Sequence, residues 1–308
     1  MKKIIVSAPG KVHLLGEWAV VWGKPALLTS VDLRISASIT PGKKEVPENE
    51  IRNVIEPIVK KYLKIKSIPS YRLDIESKLP VGAGLGSSAA ISAAYITSLL
   101  SFLKIKQDLN FINELTYEAE KVFSGNPSGA DNSTVVFGGL IWFRKELPDL
   151  KTIQPLSFSI PLKLAKNFML INTGTPKQTT RQMISKITSY LDKKPALKKR
   201  FLKSQEELVK QFIPAIKNSD QKEVIRIIKT GEKNLESIGV VSSSVKIIIR
   251  QIEKKGGAAK ICGAGASEGP TGVLLVFHQN LKVVEKLAKD YNLDCFQAKL
   301  GVIGIKNE

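Results

Sequence analysis

Cysteine is scarce in this sequence of 308 residues, which contains only Cys262 and Cys295. Two cysteines cannot form the disulfide framework of a small secreted protein. Neither of them lies in a Cys-x-x-Cys pattern or beside a histidine, so the spacing of zinc ligands is also missing. We therefore expect a cytoplasmic protein whose cysteines stay reduced.

Long hydrophobic runs are also lacking. No apolar run reaches the ~18 residues that a membrane-spanning helix needs. Residues 1–10 have a basic start but a very short apolar core, and we interpret them as a first strand rather than a signal peptide. The hydrophobic content of 43% is ordinary for a globular protein, and the length favours two domains.

Acidic residues are fewer than basic ones, 28 against 47, which gives a net charge of +19. Most of this excess comes from residues 161–308. No RNA- or DNA-binding motif and no basic stretch interleaved with aromatic residues accompanies the charge. We therefore favour a solvated basic surface that attracts anionic substrates, and we expect neither nucleic acid nor a membrane as a partner. A basic RNA-binding protein remains the least favoured alternative.

The most informative stretch is a glycine-rich turn between a strand and a helix. Residues 71–79 alternate apolar and polar side chains, which predicts a half-buried strand. Residues 88–103 are rich in Ala, Ile and Leu without Gly or Pro, which predicts a buried helix capped by serine. Gly82, Gly84 and Gly86 lie between them. Converging amide groups and the positive end of a helix dipole make an anion site, and we expect a nucleotide polyphosphate there.

This turn matches neither of two familiar phosphate-binding loops. A P-loop needs a lysine after its last glycine, and none follows Gly86. The dinucleotide fingerprint needs Gly-x-Gly-x-x-Gly, whereas the spacing here is Gly-x-Gly-x-Gly. A plain tight turn into a hydrophobic helix therefore stays open as the alternative.

Hydrophobic spacing elsewhere predicts an α+β fold. The remaining predicted strands cover residues 3–7, 11–15, 32–39, 140–144, 167–172, 258–262, 271–278 and 293–305. The remaining predicted helices cover residues 49–63, 110–123, 179–191, 196–217, 220–237, 243–254 and 280–291. Residues 41–50 form a polar connection, residues 126–139 a turn-rich stretch, and residues 145–155 the candidate domain boundary.

Four segments together resemble the signature motifs of the GHMP kinases. They are residues 7–26, which contain Ala-Pro-Gly-Lys and Gly-Glu-Trp-Ala-Val-Val-Trp-Gly-Lys-Pro-Ala, residues 80–90, residues 125–132 (Gly-Asn-Pro-Ser-Gly-Ala-Asp-Asn) and residues 260–265 (Lys-Ile-Cys-Gly-Ala-Gly). Within that superfamily, the first and third motifs look like those of the mevalonate kinases. The resemblance implies a two-domain α+β fold. The N-terminal domain over 1–155 is expected to be ribosomal-S5-domain-2-like, and the C-terminal domain over 156–308 is expected to be a ferredoxin-like α/β sandwich.

The resemblance also implies roles for individual residues. Asp131 resembles the general base that accepts the proton of the substrate hydroxyl, and Lys11 the lysine that faces it. Ser88 and Glu120 resemble the residues that hold Mg²⁺. The ATP-binding residues would be Lys11, Gly82, Ala83, Gly84, Leu85, Gly86, Ser87 and Ser88. Plainer roles stay open, because a helical glutamate is often solvated and an aspartate often caps a turn.

On the acceptor side the resemblance is less complete. The implied substrate-binding residues are Glu17, Trp18, Thr180, Arg181, Gly263, Ala264 and Gly265. Trp18 stands where mevalonate kinases usually have a histidine associated with the acceptor, and the last glycine motif is altered and carries Glu268. The plainer alternatives are a helix cap with a surface arginine at 180–181 and a tight strand connection at 263–265.

The implied function is ATP- and Mg²⁺-dependent phosphorylation of mevalonate to 5-phosphomevalonate, in isoprenoid biosynthesis. The expected small-molecule partners are ATP and mevalonate, and a homodimer is left open. The alternatives are a phosphomevalonate kinase, a mevalonate 3-kinase, a sugar kinase, or a nucleotide-binding regulator that has lost catalysis.

Overall fold

The computed structural model describes residues 3–42, 50–80, 82–106, 108–125, 127–147 and 150–308. Most of the predicted connection over 41–50, the predicted helix start at Asn49, and Asn126 of the turn-rich stretch lie outside these residues. In the described ranges, the strands form two separate antiparallel sheets, and helices accompany each of them. The predicted α+β class is confirmed. No helix in those ranges combines the length and apolar composition needed to cross a bilayer.

The first sheet has six strands within the described residues. They are β1 (Ile4–Leu15), β2 (Ala26–Pro41), β3 (Tyr71–Ser77), β4 (Leu140–Lys145), β5 (Lys151–Pro155) and β10 (Lys306–Asn307). Their order is β10-β1-β2-β4-β5, and β3 also pairs with β2. The prediction of two strands over 3–7 and 11–15 is wrong, because β1 continues through Pro9. A bulge between Pro9 and Gly10 accommodates the proline, which has no N–H to donate.

The helices that belong with this sheet are α1 (Glu50–Leu63), α2 (Ser87–Phe102), α3 (Leu109–Ser124) and α4 (Ala130–Phe137). α2 is buried along most of its length and packs on β1 and β2, as its content of Ala, Ile and Leu predicts. Gly86 is its N-cap and no side chain caps it, so the predicted serine cap is wrong. The prediction of turns over residues 126–139 is also wrong in part, because α4 forms within that stretch.

The second sheet has the order β7-β8-β6-β9. Its strands are β6 (Phe168–Asn172), β7 (Ala258–Ile261), β8 (Val273–Phe277) and β9 (Asp294–Phe296). The remaining helices are α5 (Leu162–Ala165), α6 (Thr180–Asp192), α7 (Pro195–Lys217), α8 (Gln221–Ser237), α9 (Ser243–Lys254) and α10 (Leu281–Asp290). Alternation along β6 divides the core. Phe168 and Leu170 join a cluster shared with the first sheet, whereas Met169 and Ile171 join the cluster that contains α9.

One prediction about the connections between these parts is wrong, and the candidate boundary contains a strand. Residues 151–155 of the candidate boundary form β5, which pairs with β4 in the first sheet. The predicted strand over 293–305 is not one strand, because β9 belongs to the second sheet and β10 to the first. Between them, Leu300 and Ile303 form bridges to Val31 and Gly138. The tail therefore returns to the first sheet, and the boundaries 1–155 and 156–308 stay a prediction.

Candidate active site

Three glycines shape the turn that leads into α2. Gly82, Gly84 and Gly86 have φ values of 69°, 83° and 73°, which side-chain-bearing residues rarely adopt. Because no side chain caps α2 at Gly86, no side chain competes with a ligand for the first amide groups of the helix. The turn therefore has the features of an anion site, with free donors at the positive end of a helix dipole.

Both halves of the chain hold this loop in place. The Lys11 N–H donates to the Leu85 carbonyl at 2.9 Å, and the Val273 N–H donates to the Ala83 carbonyl at 2.9 Å. Gly84 also meets Gly263 of the second glycine loop, where a Cβ added to Gly84 would lie 3.7 Å from the Gly263 Cα. The two loops therefore touch backbone to backbone, with no side chain between them.

Lys11 and Asp131 form an ion pair beside the loop. The Lys11 Nζ lies 3.0 Å from the Asp131 Oδ1. Lys11 comes from β1 and is 3% exposed, whereas Asp131 lies in the first turn of α4 and its side chain is 35% exposed. The stem of Lys11 packs against Gly86, where an added Cβ would approach its Cγ to 2.8 Å. The lysine thus joins the glycine loop to an aspartate that remains accessible.

Glu120 and Ser88 form a second polar pair near the same place. Ser88 lies close enough to Glu120 for its hydroxyl to counteract part of the rise in the pKa of that carboxyl group, and the Glu120 Oε1 is buried without a partner. Burial, together with the nearby negative charge of Asp131, raises the pKa of Glu120 to about 7. The Ser88 hydroxyl and the unpartnered carboxylate oxygen of Glu120 are ligand types that suit Mg²⁺, which takes few protein ligands and completes its coordination shell with phosphate oxygens. Within the described ranges no cluster of three His, Cys, Asp or Glu could bind a metal by itself.

A cleft of about 160 Å³ opens between these groups and the second half of the chain. This is close to the ~150 Å³ of a cavity that holds benzene, so the cleft suits a small molecule. The predicted site residues that line it are Lys11, Glu17, Trp18, Gly84, Glu120, Asp131, Thr180, Gly263 and Ala264. The predicted site residues that do not line it are Gly82, Ala83, Leu85, Gly86, Ser87, Ser88, Arg181 and Gly265.

Trp18 is held in an unusual conformation at one wall of the cleft. Its φ of 64° is a rare value for a bulky side chain. The ring stacks on Trp22, with centroids 6.4 Å apart, and its buried Nε1 has no hydrogen-bond partner. Strained backbone of this kind is typical of functional sites, where the surrounding structure maintains it.

Glu17 is tied to the second half of the chain by a buried ion pair with Lys260. The Lys260 Nζ also donates to the carbonyls of His13 at 3.1 Å and Ile261 at 2.7 Å. The second carboxylate oxygen of Glu17 is buried without a partner. Burial raises the pKa of Glu17, while the positive charge of Lys260 opposes this effect. The pair therefore joins the turn after β1 to the end of β7 beneath the cleft.

Among the remaining predicted acceptor residues, Thr180 lines the cleft, whereas Arg181 and Gly265 do not. Thr179 caps α6 through a reciprocal bond pair with Gln182, which leaves Thr180 free to line the cleft. Arg181 is exposed, and its side chain lies beside Gly125. Gly265 is packed against Val240, where an added Cβ would lie 2.0 Å from the carbonyl oxygen, so its contribution to the loop is steric.

Five polar residues of the site did not emerge from the sequence. His13, Ser124, Ser128 and Asn132 line the cleft, and Lys260 lies beneath it. For His13 a signal was present, since alternation along a strand places residues 11 and 13 on the same face. Lys260 belongs to the fourth signature segment, but a lysine in an apolar strand gives no indication that its charge is buried.

The comparisons with known proteins find kinases similar to this chain in sequence and in fold. Residues 49–139 match the model of the GHMP kinase N-terminal domain. The mevalonate kinase of Archaeoglobus fulgidus is 27% identical over 271 residues, which cover 85% of this chain and 89% of that protein.

Two solved structures show the same fold over nearly the full length. The Methanococcus jannaschii mevalonate kinase has a TM-score of 0.79 at 21% identity and covers 97% of this chain and 98% of its own. The Streptococcus pneumoniae phosphomevalonate kinase, in complex with phosphomevalonate and AMPPNP, has a TM-score of 0.78 at 17% identity. The match covers 96% of this chain and 99% of that protein. The fold is thus common to kinases with different acceptors. The chain has the GHMP kinase fold and an N-terminal segment that matches that family, with mevalonate kinases among its relatives, and this confirms the resemblance indicated by its motifs.

Proposed function

We propose that this protein is an ATP- and Mg²⁺-dependent kinase that phosphorylates the 5-hydroxyl of mevalonate. The observation that carries the proposal is the Lys11–Asp131 ion pair, which lies between a glycine loop suited to phosphates and a cleft suited to a small molecule. The relatedness to mevalonate kinases supports the choice of acceptor. Phosphoryl transfer needs little covalent help from the protein, so positioning and charge compensation are the roles for these residues.

In this mechanism the Asp131 carboxylate accepts the proton of the acceptor hydroxyl. Lys11 holds that carboxylate in place and, because it packs on the glycine loop, also offers positive charge to the transferring phosphoryl group. Ser88 and Glu120 would hold Mg²⁺, whose charge would compensate that of the ATP phosphates. The amide groups from Gly82 to Ser88 would bind the phosphate oxygens.

One observation favours a second acceptor from the same superfamily. Trp18 places an indole N–H, which can only donate a hydrogen bond, at the wall of the cleft where mevalonate kinases usually carry a histidine. A phosphomevalonate kinase is therefore the second candidate, and its fold is equally similar.

A panel of acceptors tests the proposal. Purified protein with Mg-ATP is incubated separately with mevalonate, 5-phosphomevalonate and galactose, and ADP release is measured with product identification by ³¹P NMR. We expect turnover with mevalonate. Turnover with 5-phosphomevalonate alone would instead support the second candidate, and ATP binding without turnover on any acceptor would favour a regulator.

Asp131→Asn tests the assigned base. The substitution keeps the size of the side chain but removes its ability to accept a proton, so we expect kcat to fall by on the order of 10²–10⁴. The Kd for an unreactive ATP analogue should change by less than about twofold, since Asp131 is placed at the acceptor. Asp74→Asn, at an exposed carboxylate of β3, serves as the matched control. An unchanged kcat in the Asp131 variant would refute the role of Asp131 as the base.

A further inference from the structure

His13 differs from the other histidine of the chain in its contacts. Both ring nitrogens of His278 are bonded, Nε2 to the Lys255 carbonyl at 2.9 Å and Nδ1 to the Asn280 N–H at 2.9 Å. Neither ring nitrogen of His13 has a partner, although the residue is buried and lines the cleft. Polar atoms that are buried without a partner are rare and costly. The imidazole of His13 is therefore arranged for something that binds in the cleft.

The position of the ring limits what that group can be. The His13 Nε2 lies 3.8 Å from the Asp131 Oδ1, the same oxygen that the Lys11 Nζ contacts at 3.0 Å. A separation of 3.8 Å is too long for a direct hydrogen bond. It is short enough for one oxygen atom to lie about 2.8 Å from both atoms. A hydroxyl can donate to the carboxylate and accept from the ring at the same time.

The surroundings of His13 keep its ring neutral. Burial lowers the pKa of His13 well below 6.5, and the positive charges of Lys11 and Lys260 lower it further. A neutral imidazole carries one N–H donor and one acceptor nitrogen. His13 therefore does not compete with Lys11 for the charge of Asp131, and it offers a directional donor instead.

We propose that His13 positions the reacting hydroxyl of the acceptor by donating from Nε2–H to the hydroxyl oxygen. That hydroxyl at the same time donates its proton to Asp131. The bond that forms joins this oxygen to the γ-phosphorus of ATP, the bond that breaks joins the γ-phosphorus to the bridging oxygen, ADP leaves, and the proton passes to Asp131. This inference rests on the proposed kinase function and names a neutral alcohol as the group bound between His13 and Asp131.

Two substitutions and a matched control test the assignment by kinetics. His13→Leu removes the donor, and we expect kcat/KM for the alcohol to fall about tenfold or more. His13→Gln retains an N–H donor and should recover part of that loss, and in both variants the KM for ATP should stay within about twofold. His278→Gln also removes a buried imidazole, but one that does not line the cleft, and should leave both kinetic constants unchanged even if it lowers stability. Equal activity of wild type and His13→Leu would overturn the assignment.

Because the chain has only two histidines, NMR provides a readout that does not depend on turnover. The protein is labelled with ¹⁵N in the histidine rings, and His278→Gln identifies the His13 signals. Titration with the alcohol that the wild type phosphorylates should shift the His13 Nε2 resonance and leave the His278 signals in place. If this alcohol turns over while the His13 signals do not move, the inference about His13 fails and the kinase function stands. If the wild type phosphorylates no alcohol, the proposed function itself fails, and this inference with it.

Discussion

Glu232 is a buried carboxyl group that should make the stability of this protein depend on pH. It lies on α8 and is fully buried, its Oε2 accepts a hydrogen bond from the Ile261 N–H at 3.0 Å, and its Oε1 has no partner. Burial raises the pKa of Glu232 from 4.5 to about 8. At pH 7 the folded protein therefore keeps a proton on Glu232 that the unfolded chain has lost.

The sign and size of the effect follow from this difference in bound protons. Because the pKa is raised in the folded state, the full stability is present below pH 4.5 and is lost as the pH rises towards about 8. In this window each pH unit costs about 1.4 kcal/mol of unfolding free energy. Glu232→Gln keeps an oxygen for the Ile261 N–H but cannot titrate. The stability of the variant relative to wild type should thus increase by about 3 kcal/mol between pH 5 and pH 7.

Urea unfolding of both proteins at pH 5, 6 and 7 measures this change directly. Other titrating groups are common to the two proteins and cancel in the difference. Glu207→Gln, at a largely exposed glutamate of α7, is the control and should parallel the wild type at every pH. If the curves of wild type and Glu232→Gln also stay parallel, Glu232 does not hold a proton in the folded protein and the reasoning fails.

Two further predictions concern the nucleotide site. Glu120→Gln should raise the Mg²⁺ concentration needed for half-maximal activity about 10- to 100-fold, and Mn²⁺ binding with an ATP analogue, followed by electron paramagnetic resonance, should weaken in parallel; an unchanged metal requirement would remove Glu120 from the metal site. Gly86→Ala places a Cβ 2.8 Å from the Lys11 Cγ at a φ of 73°. It should weaken binding of an ATP analogue in a calorimetric titration while Gly256→Ala, also at positive φ but with nothing within 4 Å, leaves it unchanged; equal affinities would show that the loop tolerates a side chain.

Sequence reasoning succeeded where the determining signals lie close together in the chain. The strand, glycine turn and helix over residues 71–103 are encoded by alternation, then by positive-φ glycines, then by a stretch rich in Ala, Ile and Leu without Gly or Pro. Five helices of the second half, α6 to α10, were predicted to within two residues at each end, because their apolar stripes repeat with helical spacing and side chains cap four of them. The four-residue helix α5 was not predicted.

Reasoning from local pattern failed where tertiary contacts decide the structure. α4 follows an Asn-Pro-Ser-Gly sequence typical of turns and has Asp131 and Asn132, which favour turns, in its first turn, yet it packs against β1, α2 and α3. β10 has only two residues and forms because β1 offers an edge. Neither environment can be recognised from the neighbouring residues in the sequence.

The site shows the same division. The glycine loop was predicted from its own residues, whereas the pairing of Lys11 with Asp131 joins positions 120 residues apart in the sequence. No spacing rule connects them, and only the resemblance to GHMP kinases suggested it. The role of His13 was missed because its significance depends on the distance to Asp131, which exists only in the folded chain.

The backbone contact between Gly84 and Gly263 has a consequence for how the proposed phosphate site is assembled. Each half of the chain supplies one of its two glycine loops, so under the proposed function neither half produced alone would form the complete site. Affinity for an ATP analogue would then also report how closely the two halves pack together. A substitution far from the cleft that weakens the packing between the two halves would also lower this affinity. It could be distinguished from a defect of the site itself only by measuring the packing of the halves as well.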